Sequence, residues 1–410
     1  MDDYWLTWER INSIVRDREL VLYGRSDDWI PKTLRRLGRS PKYIIDGSPS
    51  FKGAFYRDIP IYLPSHLETE NKDNVFVVIT TGNYQGVVSV LEDLGFTSGL
   101  DFSCSPEFKS MALLEEIRNY DAKVIVACSD YNVKTASRYS QEGGGLYVYD
   151  LMSQNKERVA KGSYRQMARI GGDVYAIEHA LGEIHCFDDG FKLKRAHQLG
   201  MPKYCGLAYD NNRDLIVAAN TETDCIDFFD RRSFKKVECV HYSDKTTKEY
   251  SSQHHINDIC IDEDTLFVCY FSHSGNWKRG VFDGGVSQIP LGSLKTPPEP
   301  IVTGLWQPHS PEVIQGNICY LDSLRGRLRT TTHVIHGEFS GFTRGLTHDG
   351  RFFFIGQSEN MYASRLVGTS NNIMLNAGFY LFDTDTKVSR FYPMFGNMNI
   401  HDLLPLVPCN

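Results

Sequence analysis

The feature that most constrains this chain is a change of period at Lys123. Before it, strand and helix signals alternate. After it the helix signal disappears, and short apolar strands recur between Gly, Asn and Asp turns, from VIVAC and GGLYVYDL through CIDFFD and ICIDEDTLFVCY to GFYLFDTDT. Strand-turn-strand openings begin near Gln166, Cys205, His255, His309, Thr343 and His401, at irregular intervals of roughly 35 to 60 residues. Four-stranded units of about 40 to 50 residues are the signature of a propeller, and six openings give six blades, with seven as the alternative count. The C-terminal NIHDLLPL would complete the blade that starts at KVIVAC, a closure that removes free sheet edges. Residues 122–410 are therefore expected to form an all-β propeller.

Residues 1–105 read as an α/β domain. ELVLYG is a strand, and IPKTLRRLG is a helix with Pro31 at its start. KYIID and NVFVVITTG are further strands, and NYQGVVSVLEDLG a second helix. This alternation predicts a parallel sheet with helices on its faces, a Rossmann-like fold, followed by a linking helix over 106–121. Asp46 ends the second strand, where an acid would meet a ribose hydroxyl. The glycine fingerprint is incomplete: Gly24 is followed by Ser26 and Trp29 at the positions of the later glycines. Asp27 and Asp28 fall where a helix start would offer amides to a pyrophosphate, and an N-cap aspartate satisfies those amides and repels a phosphate. Gly24, Ser26 and Asp46 are the candidate residues for a nucleotide or nucleotide-sugar. The alternative is a fold that kept its architecture and lost its ligand.

Composition narrows the class. With 41% hydrophobic and 23% charged residues, the chain can bury a sizeable core. A formal charge of -7 without a basic stripe argues against a nucleic-acid binder. No stretch of about 18 apolar residues occurs, so no membrane span is expected. The start, MDDYWLTWER, lacks the basic and apolar regions of a signal peptide. The ten cysteines stand singly, with no CxxC, which points to a reducing cytoplasm and away from a disulfide framework or zinc finger. A homo-oligomer is compatible with all of this.

In a propeller the innermost strand of each blade begins at one mouth of the central channel. The openings carry Arg165-Gln166, Tyr204-Cys205, His254-His255-Asn257-Asp258, His309-Ser310, Thr343-Arg344 and His401-Asp402. Imidazoles converging from different blades suit zinc, manganese or iron, and the oxygens of Asn257, Asp258 and Asp322 would favour calcium or manganese. His255, Asn257, His309, Asp322 and His401 are the candidate metal ligands. His255, His309, Arg344 and His401 are the candidate catalytic groups. Each also has a structural reading, as a turn cap, an ion-pair partner of a carboxylate such as Glu312, or a local hydrogen-bonded pair. Trp277 and Arg279, on the loop SHSGNWKRGVFDGGV, suit an anionic sugar or phosphate, and Gln166 and Arg365 are further candidate substrate-binding residues.

Three resemblances accompany these readings. Tyr23-Gly24, Ile44 to Asp46, the stretch from Lys52-Gly53 to Leu67, and Val77 to Gly82 give the N-terminal quarter an outline. It resembles the Rossmann-like modules that precede sugar-modifying domains in bacterial surface-polysaccharide pathways. WQPHSP, YLDSLRGRL, GFTRGLTHDG, FIGQS and RGVFDGGV together resemble a bacterial propeller family of unknown function. A looser resemblance is to gluconolactonase-type six-bladed propellers, which hold one divalent cation at the channel mouth. Ile256 to Val268 is similar to their Asn-Asp strand and points to Asn257, and Cys319 to Ser323 is similar to their metal-bearing strand and points to Asp322. The glutamate ligand of that family has no counterpart before Met167, and its third-blade asparagine is replaced around His309. The expectation is a metal-dependent enzyme acting on a sugar or nucleotide-sugar in surface-glycan assembly. The alternative is a non-catalytic binding scaffold. A nicotinamide-dependent oxidoreductase is disfavoured by the missing glycines.

Overall fold

The computed structural model describes residues 4–129, 143–200, 203–249, 252–331, 334–359 and 372–406. The chain divides into two compact units, Met1–Asn119 and Tyr120–Asn410.

The first unit is built on strands β1 (Glu19–Tyr23), β2 (Tyr43–Ile45), β3 (Phe55–Tyr56), β4 (Ile59–Tyr62), β5 (Val75–Ile79) and β6 (Phe102–Cys104), in the order β3-β4-β2-β1-β5-β6. All neighbours are parallel except the short β3–β4 pair. β1 and β5 are apolar at nearly every position because both faces are covered. On one face Val21, Val77 and Ile79 pack with Val87 and Leu91 of helix Tyr84–Asp93. On the other, Leu20, Leu22 and Val78 pack with Ile11 and Ile30 of helices Trp8–Ile14 and Trp29–Leu37. The helix expected as a linker spans Lys109–Arg118 and places Ala112 in the first of these cores, so it belongs to this unit.

The second unit is a six-bladed propeller of four-stranded antiparallel sheets. The inner strands are Tyr164–Ile170, Tyr204–Asp210, Ile256–Asp262, His309–Ile314, Phe342–His348 and Ile400–Leu406. Each touches the next, and the last returns to the first, closing a ring. Blades one to five are each a run of four consecutive strands. Blade six joins Ile400–Leu406 to Lys123–Cys128, so the closure read from NIHDLLPL is present.

All six inner strands share one irregularity. The ladder to the second strand slips one or two residues after the inner strand begins, between Tyr164 and Met167, Tyr204 and Gly206, Ile256 and Ile259, His309 and Glu312, Thr343 and Leu346, and Ile400 and Asp402. A bulge leaves backbone amides without a ladder partner and re-aims the neighbouring side chains. Here side chains from other blades take up those amides. Gln166 Oε1 accepts from Leu207 N at 2.9 Å and Ile259 N at 3.0 Å, and its Nε2 donates to Ile259 O at 2.7 Å. Asp258 Oδ2 accepts from Ser310 N at 2.9 Å, Ser310 Oγ from Gly345 N at 2.9 Å, and Asp402 Oδ2 from Met167 N at 2.7 Å. Two glycines let the blades approach this closely. A Cβ on Gly206 would lie 2.4 Å from Asn257 O, and one on Gly345, whose φ is +77°, 2.8 Å from Asp402 Cα.

Gln166→Leu removes the side chain that holds two amides and a carbonyl of blades two and three. Stranding buried polar groups costs about 1–3 kcal/mol each. The variant is expected to lose about 2–4 kcal/mol in chemical denaturation, whereas Gln288→Leu, on a half-buried strand position of blade three, serves as a near-neutral control.

Candidate functional site

The six bulges sort adjacent residues into two roles. At each opening the second residue joins the interblade belt: Gln166, Gly206, Asp258, Ser310, Gly345 and Asp402. The first is Arg165, Cys205, Asn257, His309, Arg344 or His401, and of these Arg165, His309, Arg344 and His401 lie close enough to act on one another's charge.

Two guanidinium groups meet there on one imidazole. Arg165 Nη1 lies 2.8 Å from His401 Nδ1 and also contacts Nε2, and Arg344 Nη1 lies 3.0 Å from His401 Nε2. Burial, then Arg165 and Arg344, hold His401 well below the usual histidine range, so it is neutral. His309 is kept neutral by burial first and Arg344 second. Its Nδ1 lies 2.9 Å from Gln307 O and 2.9 Å from Ser323 Oγ. A proton on Nδ1, donated to that carbonyl, leaves the Nε2 lone pair open, between the rings of Phe271 and Phe342. His255 is pushed down to about 3 by burial and then by both arginines. It has φ +54°, a buried Nδ1 without a partner, and ring contacts with Phe271 and Trp277. Trp277 is fixed by its indole N–H, 3.0 Å from Ser252 Oγ.

His179 was not singled out in the sequence. It follows the second strand of blade one, Asp173–Glu178, and its Nδ1 donates to Tyr204 O at 2.8 Å. Burial, then Arg165, pushes it down to about 3. The available signal was topological: a second strand ends where its inner strand begins. His254, beside His255, has both nitrogens occupied, by Ser272 O at 2.9 Å and Ser243 Oγ at 2.8 Å.

Three carboxyl groups accompany the basic rim. Burial pushes Asp258 up to about 6 and Glu312 up to about 8, the latter helped by Asp258, and holds Asp402 well above the carboxylate range.

The other expected site residues lie as follows. Gln166 belongs to the belt. Asp322 accepts from Trp306 N at 2.7 Å and pairs with Arg325 at 3.0 Å and Arg329 at 3.6 Å. Asn257 is buried within the blade-three bulge. Arg279 is exposed on the turn Trp277–Arg279. Arg365 lies outside the described residues. Among the described residues, no three histidine or carboxylate donors of the mouth come within 4.8 Å of one another; the group that does is Cys225, Cys239 and His241.

In the first unit, Gly24 has φ +102°, and a Cβ there would lie 2.5 Å from Thr81 Cβ. Asp46 accepts from Arg25 N at 2.9 Å and Ser48 N at 2.8 Å. Ser26 Oγ accepts from Trp29 N at 3.1 Å and Asp28 N at 3.3 Å, while Asp28 makes no capping bond. The cap is therefore the serine and not the aspartate expected, because the turn places the Ser26 hydroxyl over the first amides of the helix.

Residues 123–387 match the family described as "Domain of unknown function (DUF4915)". The chain belongs to that family. The matched span contains the PHSP, LDSLRGRL and GFTRGL strings and bears out the expected propeller family of unknown function. No curated protein matches significantly. Among solved structures, a nidogen/laminin complex matches at 9% identity, 70% of this chain, 98% of that chain and TM-score 0.49. A protein of unknown function from Bacteroides caccae matches at 11%, 70%, 98% and 0.46. A calcium-binding regucalcin from Agrobacterium tumefaciens matches at 12%, 54%, 71% and 0.39. At such identities no functional residue carries over.

Glu312 has a folded pKa above its ordinary 4.5. The folded protein therefore holds this proton where the unfolded chain has lost it, and stability falls as pH rises from about 4.5 to about 8. Asp258 adds the same sign between 3.8 and about 6. Glu312→Gln should raise the melting temperature at pH 8 and leave it near the parent's at pH 4.5. Equal effects at both pH values would contradict the assigned environment.

Proposed function

We propose that the channel mouth binds an anionic carbohydrate, a uronic acid or sugar phosphate, and acts on it as an enzyme. The observation that carries this reading is the convergence of Arg165 and Arg344, from blades one and five, on the neutral His401 of blade six. Guanidinium groups recognise carboxylate and phosphate oxygens through paired, charge-assisted hydrogen bonds. Trp277, half-buried against His255, offers an aromatic face for a sugar ring.

For a uronate, the chemistry that suits these groups is proton abstraction next to the carboxylate. The C–H pair moves into the carboxyl group, whose growing charge Arg165 and Arg344 offset. His309 Nε2 takes the proton. Its low basicity stems partly from Arg344, so a bound anion restores it. The carbanion is then reprotonated on the other face, or it expels a substituent one carbon away. Epimerase and lyase activities follow from the same arrangement.

A divalent ion at the mouth is the second reading. It is favoured by the buried, unpartnered Nδ1 of His255 and by imidazoles that are neutral, as ligation requires. It requires the histidines to draw closer. The surface-glycan setting rests on the N-terminal resemblance. A Rossmann-like reading of that unit is supported by the reversal of strand order on either side of β1.

The test is a thermal-shift and calorimetric screen of uronates, sugar phosphates, nucleotide-sugars and their neutral counterparts, with elemental analysis of the same samples. Anionic sugars should bind, and Arg165→Ala or Arg344→Ala should each weaken binding about tenfold to a hundredfold. Binding should also weaken above about pH 8, as Glu312 ionises. Neutral sugars binding as well as anionic ones, or arginine variants binding like the parent, would refute the reading. One tightly held divalent ion lost in His255→Ala would favour the second.

A further inference from the structure

Away from the channel, the outer half of blade two brings together three soft donors. Strand Cys225–Asp230 pairs antiparallel with Lys236–His241, the outermost strand of that blade. The register sets Cys225 directly opposite His241 and Asp227 opposite Cys239. Residues two apart on a strand share a face, and paired residues share it too, so Cys225, Cys239 and His241 project together. Their ligating atoms all lie within 4.8 Å of one another, and Cys225 Sγ is 3.1 Å from His241 Nδ1. A tetrahedral zinc with bonds of about 2.3 Å to sulfur and 2.0 Å to nitrogen separates its donors by about 3.3–3.8 Å.

We propose that Cys225, Cys239 and His241 form a three-ligand site for zinc, with a fourth position open to a small external ligand.

Three further observations fit. Two thiols and an imidazole select a thiophilic ion over calcium or magnesium. The register argues against a Cys225–Cys239 disulfide, since the two are diagonal neighbours, and diagonal Cα atoms lie about 7–8 Å apart where a bridge needs less than about 7 Å. A cavity of about 690 Å³ is lined by Cys239 and His241 together with Lys245 and His273, and gives an external ligand room to reach the open position. Asp227, opposite Cys239, is engaged by Tyr204 OH and by Lys236 Nζ at 3.3 Å, and stays outside the ligand set.

The test uses the full chain, reduced and stripped of metal, titrated with cobalt(II) and then zinc. One equivalent of cobalt should bind with thiolate charge-transfer and tetrahedral d–d bands, and zinc should displace it. Cys225→Ser and Cys239→Ser, verified as folded by circular dichroism, should abolish the bands, and His241→Ala should weaken binding about tenfold or more. Arg344→Ala should bind cobalt like the parent, which separates this site from the channel mouth. No thiolate bands, binding unchanged in the double cysteine variant, or a Cys225–Cys239 disulfide on removal of reductant without metal binding would each overturn the proposal.

Discussion

The propeller depends on how its inner strands dispose of the amides that their bulges release. Six strands converging on one axis cannot all keep a regular ladder to the mouth. At each, the ladder slips and leaves backbone groups in a place too enclosed for bulk water. Gln166, Asp258, Ser310 and Asp402 take up those groups across blade boundaries. Each such bond joins strands far apart in sequence, so the belt ties the blades to one another as well as satisfying the backbone. The carboxylates in it are held against their own desolvation, which is why Asp258 and Asp402 carry raised pKa values.

Much of this was legible before the fold was known. The six openings named from the sequence begin the six inner strands, because the strand-turn-strand rhythm and the polar pairs at each start are both local signals. The division of labour within each pair was not legible. Nothing in Arg165-Gln166 or His401-Asp402 says which side chain enters the channel, since a bulge overrides simple alternation. Asp322 follows an apolar strand as a ligand would, yet its place beside Arg325 and Arg329 depends on a turn and a neighbouring strand. Cys225, Cys239 and His241 escaped notice because their proximity is a matter of hairpin register, and single cysteines in apolar strands carry no spacing signal. In the first unit, the missing glycines were visible, but the serine cap over the helix amides was not.

The electrostatics of the mouth follow from the same enclosure. Burial first, and the arginine charges second, depress the imidazoles there, and burial raises the carboxyl groups. The residue types at the six openings therefore bring together two guanidinium groups, imidazoles held neutral and carboxyl groups raised above their ordinary range. Such a site gains charge complementarity from its ligand.

Magnitudes distinguish an anion from a divalent cation at the channel mouth. A unit charge about 5 Å from a guanidinium, at an effective dielectric constant of about 20, interacts by about 3 kcal/mol. An anion centred between Arg165 and Arg344 gains that interaction twice. A divalent cation in the same place is opposed by about twice as much from each arginine, and neutral imidazoles must offset all of it through coordination. Zinc sites achieve that with donors already within ligating distance, as at Cys225, Cys239 and His241, where no arginine is among the donors. On the proposed readings the two sites separate in space: an anion at the channel mouth, beside Arg165 and Arg344, and a soft cation at the outer edge of blade two, beside the thiols.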